Sequence, residues 1–262
     1  MELGSKFLLY CLNKISNDPS LLLQVDKLRV AFAHQRIEAL KDKNDGKLPL
    51  QTCLPDQKDN EDMIENTFKH NSQSVAPEIA YMRPLGLLGP LLGTDKVLNC
   101  MPNLKVLIIG PRTEYELLWY VSRGFKLENI TALDLFTYSP YIQIGDMHAM
   151  AFADQTFDIV VFSWVLGYSK NQKKAVEEAV RVLKPNGFIG IGEQWDPTPV
   201  EQTATMMEKT KGYRLEGTVT NSVSDLLGLF EGHNYKIVFQ TEPMHEDKIR
   251  VGLISLIVTL PA

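Results

Sequence analysis

The chain predicts an α/β protein built on a doubly wound, mostly parallel sheet. Short apolar runs rich in β-branched residues recur at 104–109, 129–134, 157–163 and 188–192. Segments with helical spacing separate them, and acidic residues close two of the strands. Two further strand-like runs, 235–240 and 251–259, end the sequence, joined by a charged connection that suits an antiparallel pair.

The run 104–109 reads as a strand buried on both faces. Gly110-Pro111-Arg112-Thr113 breaks it, and Leu117, Leu118 and Val121 then share one helical face. A strand, a Gly turn and a helix N-terminus bring backbone N–H groups towards a polar ligand. Asp134 ends the second strand, 24 positions after Gly110. A carboxylate at about that distance, roughly 20 residues past the turn, accepts hydrogen bonds from ribose hydroxyls in nucleotide-binding α/β folds. A surface Asp capping a loop is the alternative.

The segment 145–150 is a polar loop with apolar neighbours. An adenine ring needs apolar faces and an acceptor for its exocyclic amine. Asp146 supplies an acceptor and Met147 a soft apolar face. The strand 157–163 runs into Trp164 and Tyr168. Ligands of open α/β sheets bind outside the carboxyl ends of strands, which puts Ser163, Trp164 and Tyr168 near the mouth. An aromatic face there favours a cation; half-buried packing is the competing reading. The stretch 174–184 reads as an amphipathic helix stopped by Pro185-Asn186-Gly187.

These residues carry a family resemblance. The segment 104–195, and more loosely 86–262, resembles the class I S-adenosylmethionine-dependent methyltransferases. The most specific pieces are Gly145-Asp146-Met147 with the 152–161 stretch, and the 177–187 stretch. The resemblance implies a Rossmann-like, seven-stranded sheet with a C-terminal antiparallel strand. It implies S-adenosylmethionine as cofactor and S-adenosylhomocysteine as product. By it, Gly110, Pro111, Arg112, Thr113 and Glu114 would wrap the methionine part. Asp134, followed by Leu135, would bind the ribose, and Asp146 and Met147 the adenine, with Ser163 and Trp164 beside them. Two departures stand out. The family's acidic residue before the first glycine is replaced by Ile108, and two loop glycines by Arg112 and Glu114. Glu114 either replaces the missing carboxylate facing the cofactor's ammonium or serves only the helix N-terminus.

The 262 residues suit one α/β domain plus an appendage. The expected division is a mainly helical N-terminal extension or cap, 1–85, and a methyltransferase domain, 86–262. Within the extension, Leu21, Val25, Leu28, Phe32 and Leu40 recur at near-helical spacing, with Ala33 and Ile37 beside them. Residues 41–62 read as a loop, and 63–100 as a helix followed by a Pro/Gly-broken segment. The extension is expected to shape a substrate pocket, or else to pack or form a homodimer contact. Residues 199–213 and 222–230 read as further helices.

The net charge of −5 offers no basic footprint for nucleic acid. Cys11, Cys53 and Cys100 form neither a disulfide framework nor a zinc motif, and a reducing, cytoplasmic setting follows as the expectation. No apolar run is long enough for a membrane span, and 7–12 is too short for a signal peptide. No metal site is expected. The expected activity is methyl transfer to oxygen or nitrogen of a small molecule such as a sugar, a glycan precursor or a secondary metabolite. Candidate acid/base groups are His148, Tyr168, Glu193 and Asp196; His34 and His70 are not promoted. Two alternatives are a catalytically inactive, methyltransferase-like binding or scaffold protein and a nicotinamide-dependent oxidoreductase. The latter lacks its Gly-x-Gly-x-x-Gly turn here.

Overall fold

The structure is a computed structural model that describes residues 24, 26–46, 49, 51–52, 82–111, 113–169, 171–195, 222–243 and 252–261. Its strands are β1 (Gln51–Thr52), β2 (Val106–Ile109), β3 (Ile130–Asp134), β4 (Phe136–Thr137), β5 (Gln143–Ile144), β6 (Phe157–Ser163), β7 (Leu183–Trp195), β8 (Lys236–Thr241) and β9 (Gly252–Thr259). Its α-helices are α1 (Asp26–Asp42), α2 (Met82–Leu92), α3 (Asp95–Cys100), α4 (Glu114–Ser122), α5 (Gln172–Val182) and α6 (Val223–Gly228).

Seven strands form the main sheet in the order β5-β3-β2-β6-β7-β9-β8. β2 pairs in parallel with both β3 and β6, and β6 with β7. β9 is antiparallel to β7 and to β8, as the terminal apolar run predicts. Alternation along the central strands sends successive side chains to opposite faces. Leu107, Ile109, Val160 and Phe162 pack with Ala175, Val176, Ala179 and Val182 of α5. Val106, Ile108, Ile159 and Val161 pack on the other face with residues of α1, α2 and α4. The sheet is covered on both sides, which is why its strands read as unbroken apolar runs.

The structure corrects four expectations. The Pro/Gly-rich stretch is helical, forming α2. Pro84 falls in the first turn, where a missing N–H costs nothing, and Pro90 falls in the last. Gly86 serves packing: an added Cβ there would lie 3.0 Å from Ser255 Oγ and 3.3 Å from the Trp164 ring. The division at 85/86 therefore falls inside a helix. In α1 the buried stripe is Arg29, Val30, Ala33 and Ile37, whereas Phe32 is 42% exposed. Apolar residues lie on more than one side of α1, so their spacing did not single out the face. Within the expected 41–62 loop, β1 pairs antiparallel with β4 through Gln51–Thr137 and Thr52–Phe136. Helix α5 begins and ends two residues early, because Asn171 caps it through Lys174 N–H (3.1 Å) and Leu183 already pairs with Phe157. The expected helix at 199–213, the connection at 244–251, residues 1–23, Cys53 and His70 lie outside the described residues.

Trp164 joins the sheet to α2. Its backbone is left-handed (φ 54°), its side chain is buried, and its ring lies against Gly192, whose added Cβ would sit 2.8 Å from it. Arg181 makes a second join. Its guanidinium donates to Glu178 (2.9 and 2.8 Å), Asp154 (2.7 Å) and the carbonyls of Phe152 (2.7 Å) and Met150 (2.9 Å). Glu178 also accepts from Met150 N–H at 2.9 Å. Helix α5 is thus stapled to the 150–154 loop, and the fork geometry of arginine suits such multiple acceptance. The Arg181 hydrogen bond is the main influence holding the Glu178 carboxyl below its ordinary range.

Gly192→Ala should overpack the Trp164 contact and lower stability by about 1–3 kcal/mol in denaturant unfolding. Arg181→Ala should cost about 2 kcal/mol, since it leaves the buried Glu178 with only Met150 N–H and the more distant Lys174 ammonium at 4.0 Å. Because the folded pKa of Glu178 is depressed, its contribution is complete above the ordinary carboxyl pKa and is lost as pH falls through the folded value. Unfolding of Glu178→Gln followed between pH 3 and 7 should accordingly show a shallower acid limb than the parent.

Candidate active site

The carboxyl ends of β2, β3 and β6 converge where the strand order reverses around β2. Gly110 N–H donates to Leu133 O (2.8 Å), extending the pairing into the turn. Gly110 has φ +72°, and an added Cβ would lie 2.4 Å from the Val165 side chain. Both the backbone and the approach of the loop after β6 therefore require glycine. Pro111 is buried behind it, and Arg112 lies outside the described residues. Thr113 caps α4 by accepting from Tyr115 N–H at 3.3 Å.

Glu114 and Glu116 occupy the first turn of α4, where a carboxylate meets the positive end of the helix dipole. Both are buried. Glu114 accepts from Arg36 Nε of α1 (2.8 Å) and from Ser139 Oγ (2.5 Å). Its charge is answered by an arginine 78 residues away in sequence, a partner that neither sequence reading foresaw. Arg36 also lies over the Tyr141 ring at 5.7 Å. The nearby Tyr138 hydroxyl is buried, and burial, with the Glu114 charge, pushes its phenol up. Glu116 accepts from the Ser163 hydroxyl at the end of β6. Ile108, where the family places a carboxylate, is 1% exposed in the apolar core.

Asp134 and Asp146 are brought together by backbone. Asp134 pairs with Ile144 across β3 and β5, and Asp134 O accepts from Gly145 N–H at 2.9 Å. Asp134 Oδ1 also accepts from Phe136 N–H at 3.4 Å, fixing the carboxylate at the strand end; Leu135 beside it is half-buried. Asp146 Oδ1 accepts from His148 N–H (2.8 Å) and meets His148 Nδ1 at 2.6 Å. His148 Nε2 lies 2.6 Å from Ser169 Oγ. Met147 is buried in the core with Ile109 and Leu133.

The remaining candidates are dispersed. Trp164 is buried under α2, so the packing reading holds for it and its ring is no rim for a cation. The left-handed turn at its Cα carries the side chain inward, where a run of aromatic residues in sequence shows only proximity to a strand end. Tyr168 is 40% exposed. Glu193 is buried on β7 and accepts from Gly167 N–H at 2.9 Å. Asp196 lies outside the described residues. Among the described residues, no group of three or more His, Cys, Asp or Glu side chains is placed to hold a metal ion. The residues missed from sequence were Arg36, Glu116, Ser139 and Ser169. Only Glu116 carried a local signal, as a second carboxylate in the first turn of the helix.

The residues at the strand ends fit the adenosine half of S-adenosylmethionine. Asp134 ends β3 and Asp146 lies in the loop just after the neighbouring β5, with the turn demanded by Gly110 following β2, the strand on the other side of β3. Where the resemblance would place the methionine half, Glu114 is engaged by Arg36 and Glu116 by Ser163.

Comparison with known proteins agrees with this geometry. Residues 109–191 match the family described as a methyltransferase domain. A demethylmenaquinone methyltransferase from Renibacterium salmoninarum is 43% identical over 54 residues, which are 21% of this chain and 23% of that protein. The match thus spans about a quarter of that relative's length. The putative methyltransferase solved in complex with the Trm112 methyltransferase activator of Haloferax volcanii superposes with a TM-score of 0.52 at 15% identity. That likeness covers 76% of this chain and 97% of the other, and is one of fold. With the parallel sheet and its antiparallel closing strand, the 109–191 match identifies a methyltransferase domain within this chain.

Proposed function

We propose that the chain binds S-adenosylmethionine at the carboxyl ends of β2, β3 and β5 and methylates oxygen or nitrogen of a small-molecule acceptor. The observation that supports this reading is the backbone bond between Gly145 N–H and Asp134 O, which ties the end of β3, carrying Asp134, to the segment after β5 that carries Asp146. Asp134 is the group to accept from the ribose hydroxyls, and Asp146 the group to accept from the adenine amine. When bound, the cofactor supplies a methyl group already activated on a sulfonium centre.

What the chain then contributes is chiefly position. Holding an acceptor against such a methyl group is a proximity effect of several kcal/mol, up to about 7–11 in favourable cases. The α1 helix, tied to α4 through Arg36 and Glu114, is the part of the extension that bears on the cofactor loop. The net charge of −5 favours a small acceptor over nucleic acid. The residues at 108, 112 and 114 favour one second reading, a methyltransferase-like binding protein that has given up catalysis. Calorimetric titration with S-adenosylmethionine and S-adenosylhomocysteine separates the two at the first step, and a screen of acceptors completes it. A well-folded sample that binds neither ligand sinks the enzymatic reading.

Asp134→Ala should weaken cofactor affinity about tenfold to a hundredfold, the worth of one or two hydrogen bonds to a charged acceptor. Its melting temperature should change little. Glu114→Gln should behave in the opposite sense. It should cost about 1 kcal/mol of stability through the loss of the Arg36 pair. Its cofactor affinity should stay within about threefold of the parent. A large loss of affinity in Glu114→Gln would return that carboxylate to the ammonium.

A further inference from the structure

Asp146, His148, Ser169 and Asn171 form one continuous hydrogen-bonded chain, and its polarity can be worked out. Asp146 is a carboxylate and only accepts, so His148 Nδ1 carries the ring proton at the 2.6 Å contact. Ser169 Oγ accepts from Asn171 N–H at 3.0 Å. Its own proton is then available to His148 Nε2 at 2.6 Å. With neutral histidine in this tautomer, each donor in the chain has an acceptor. Ser169 is 1% exposed, so its hydroxyl is reserved for this purpose and is out of reach of an acceptor substrate.

The brace links two loops that the sheet keeps apart. Asp146 and His148 follow β5, and Ser169 and Asn171 follow β6. β3 and β2 lie between those strands. Asp146 Oδ1 takes both bonds from His148, the backbone N–H at 2.8 Å and the ring. No described residue bonds to Oδ2, and the Asp146 side chain is 47% exposed. One oxygen is held by His148, and the half-exposed carboxylate keeps the other for a further donor.

We infer that His148, anchored by Ser169, is a positioning residue that aims Asp146 at an exocyclic amine and thereby sets the site's preference for adenine over a 6-oxo purine. The inference rests on the cofactor reading above. His148 is not the acid or base of the reaction, since both ring nitrogens are engaged in the brace. The ligand class it selects is a purine nucleoside carrying a donor at position 6. A 6-oxo group would turn a carbonyl oxygen towards the carboxylate, and a site built around one hydrogen bond strongly rejects the analogue lacking it.

The test is calorimetry on the full chain with S-adenosylhomocysteine and its inosine analogue, S-inosylhomocysteine. The parent should prefer the adenine ligand by about tenfold to a hundredfold, the worth of one hydrogen bond to a charged acceptor. His148→Phe keeps the ring volume and removes both nitrogens. It should cut the preference at least about fivefold, with affinity for the inosine ligand changed less than about threefold. His148→Asn places an amide N–H where Nδ1 stands and should restore most of the preference. Ser169→Ala, which deletes one hydroxyl, reads the same ratio should His148→Phe fold poorly, and should lower it in the same direction. Equal weakening of both ligands in His148→Phe and Ser169→Ala, or no change in the ratio, would reduce the brace to a structural contact and overturn the inference. A parent that binds both ligands equally overturns it while leaving the cofactor reading intact. A parent that binds neither overturns both.

Discussion

The pairing of β2 between β3 and β6 is the constraint on which this molecule depends. Both neighbours run parallel to β2, and the chain leaves them in opposite directions, opening a crevice at their carboxyl ends. The polar groups discussed above reach that crevice from different parts of the sequence. Their common reference is the central register, in which Val106 faces both Ile130 and Ile159. A slip of one residue in a buried strand would exchange its two faces. It would carry Ile108 and Ile109 into opposite cores and displace the turn at Gly110 that touches Val165.

Around this apolar centre, the loops are held by polar contacts between distant segments. Arg36 reaches Glu114, Arg181 reaches the 150–154 loop, and Ser169 reaches His148. Each replaces what apolar packing supplies elsewhere, because a loop carries backbone groups that must find partners once water is removed. Direction is the second reason. A hydrophobic contact holds two surfaces together without specifying orientation, whereas a forked guanidinium or a histidine between a carboxylate and a hydroxyl fixes angles. The loops that border the crevice are therefore set as well as attached. Arg29 shows the same economy inside the helical layer: fully buried, it lies 3.7 Å over the Trp119 ring and brings α1 against α4.

Much of the sheet was legible because its strands are buried on both faces and declare themselves as apolar, β-branched runs. Asp134 was legible for a related reason, as a lone carboxylate ending such a run at a fixed interval from a glycine turn. The antiparallel close was legible from its charged connection. What could not be read depended on contacts distant in sequence. Nothing local announces that Arg36 will meet Glu114, or that Val165 will fill the space above Gly110. Helix α2 was hidden by a different cause. Its prolines and glycines carry low intrinsic helix propensity, and packing of Leu87, Leu88 and Leu91 against the sheet outweighs it. Trp164 stayed open between rim and packing because sequence locates a residue along a strand but not the sign of φ at its end. Of the proposed cofactor contacts, those on the adenosine side are the more readable half, since Asp134 and Asp146 stand where the resemblance expects carboxylates. The methionine side is built from substitutions whose partners come from elsewhere.

The two margins of the sheet differ in a way that bears on self-association. β5 contributes only Gln143 and Ile144, too short a stretch to template another strand. β8 is longer and carries Ile237 and Val238 outward, the usual composition of a sticky border. Its register against β9 shifts between Ile237 and Phe239, and Lys236 stands at its start. A register shift of this kind, with a lysine at the strand's start, disfavours flush pairing along a second copy. The chain thus carries, at the margin farthest from its crevice, a built-in obstacle to growth of the sheet from one molecule to the next.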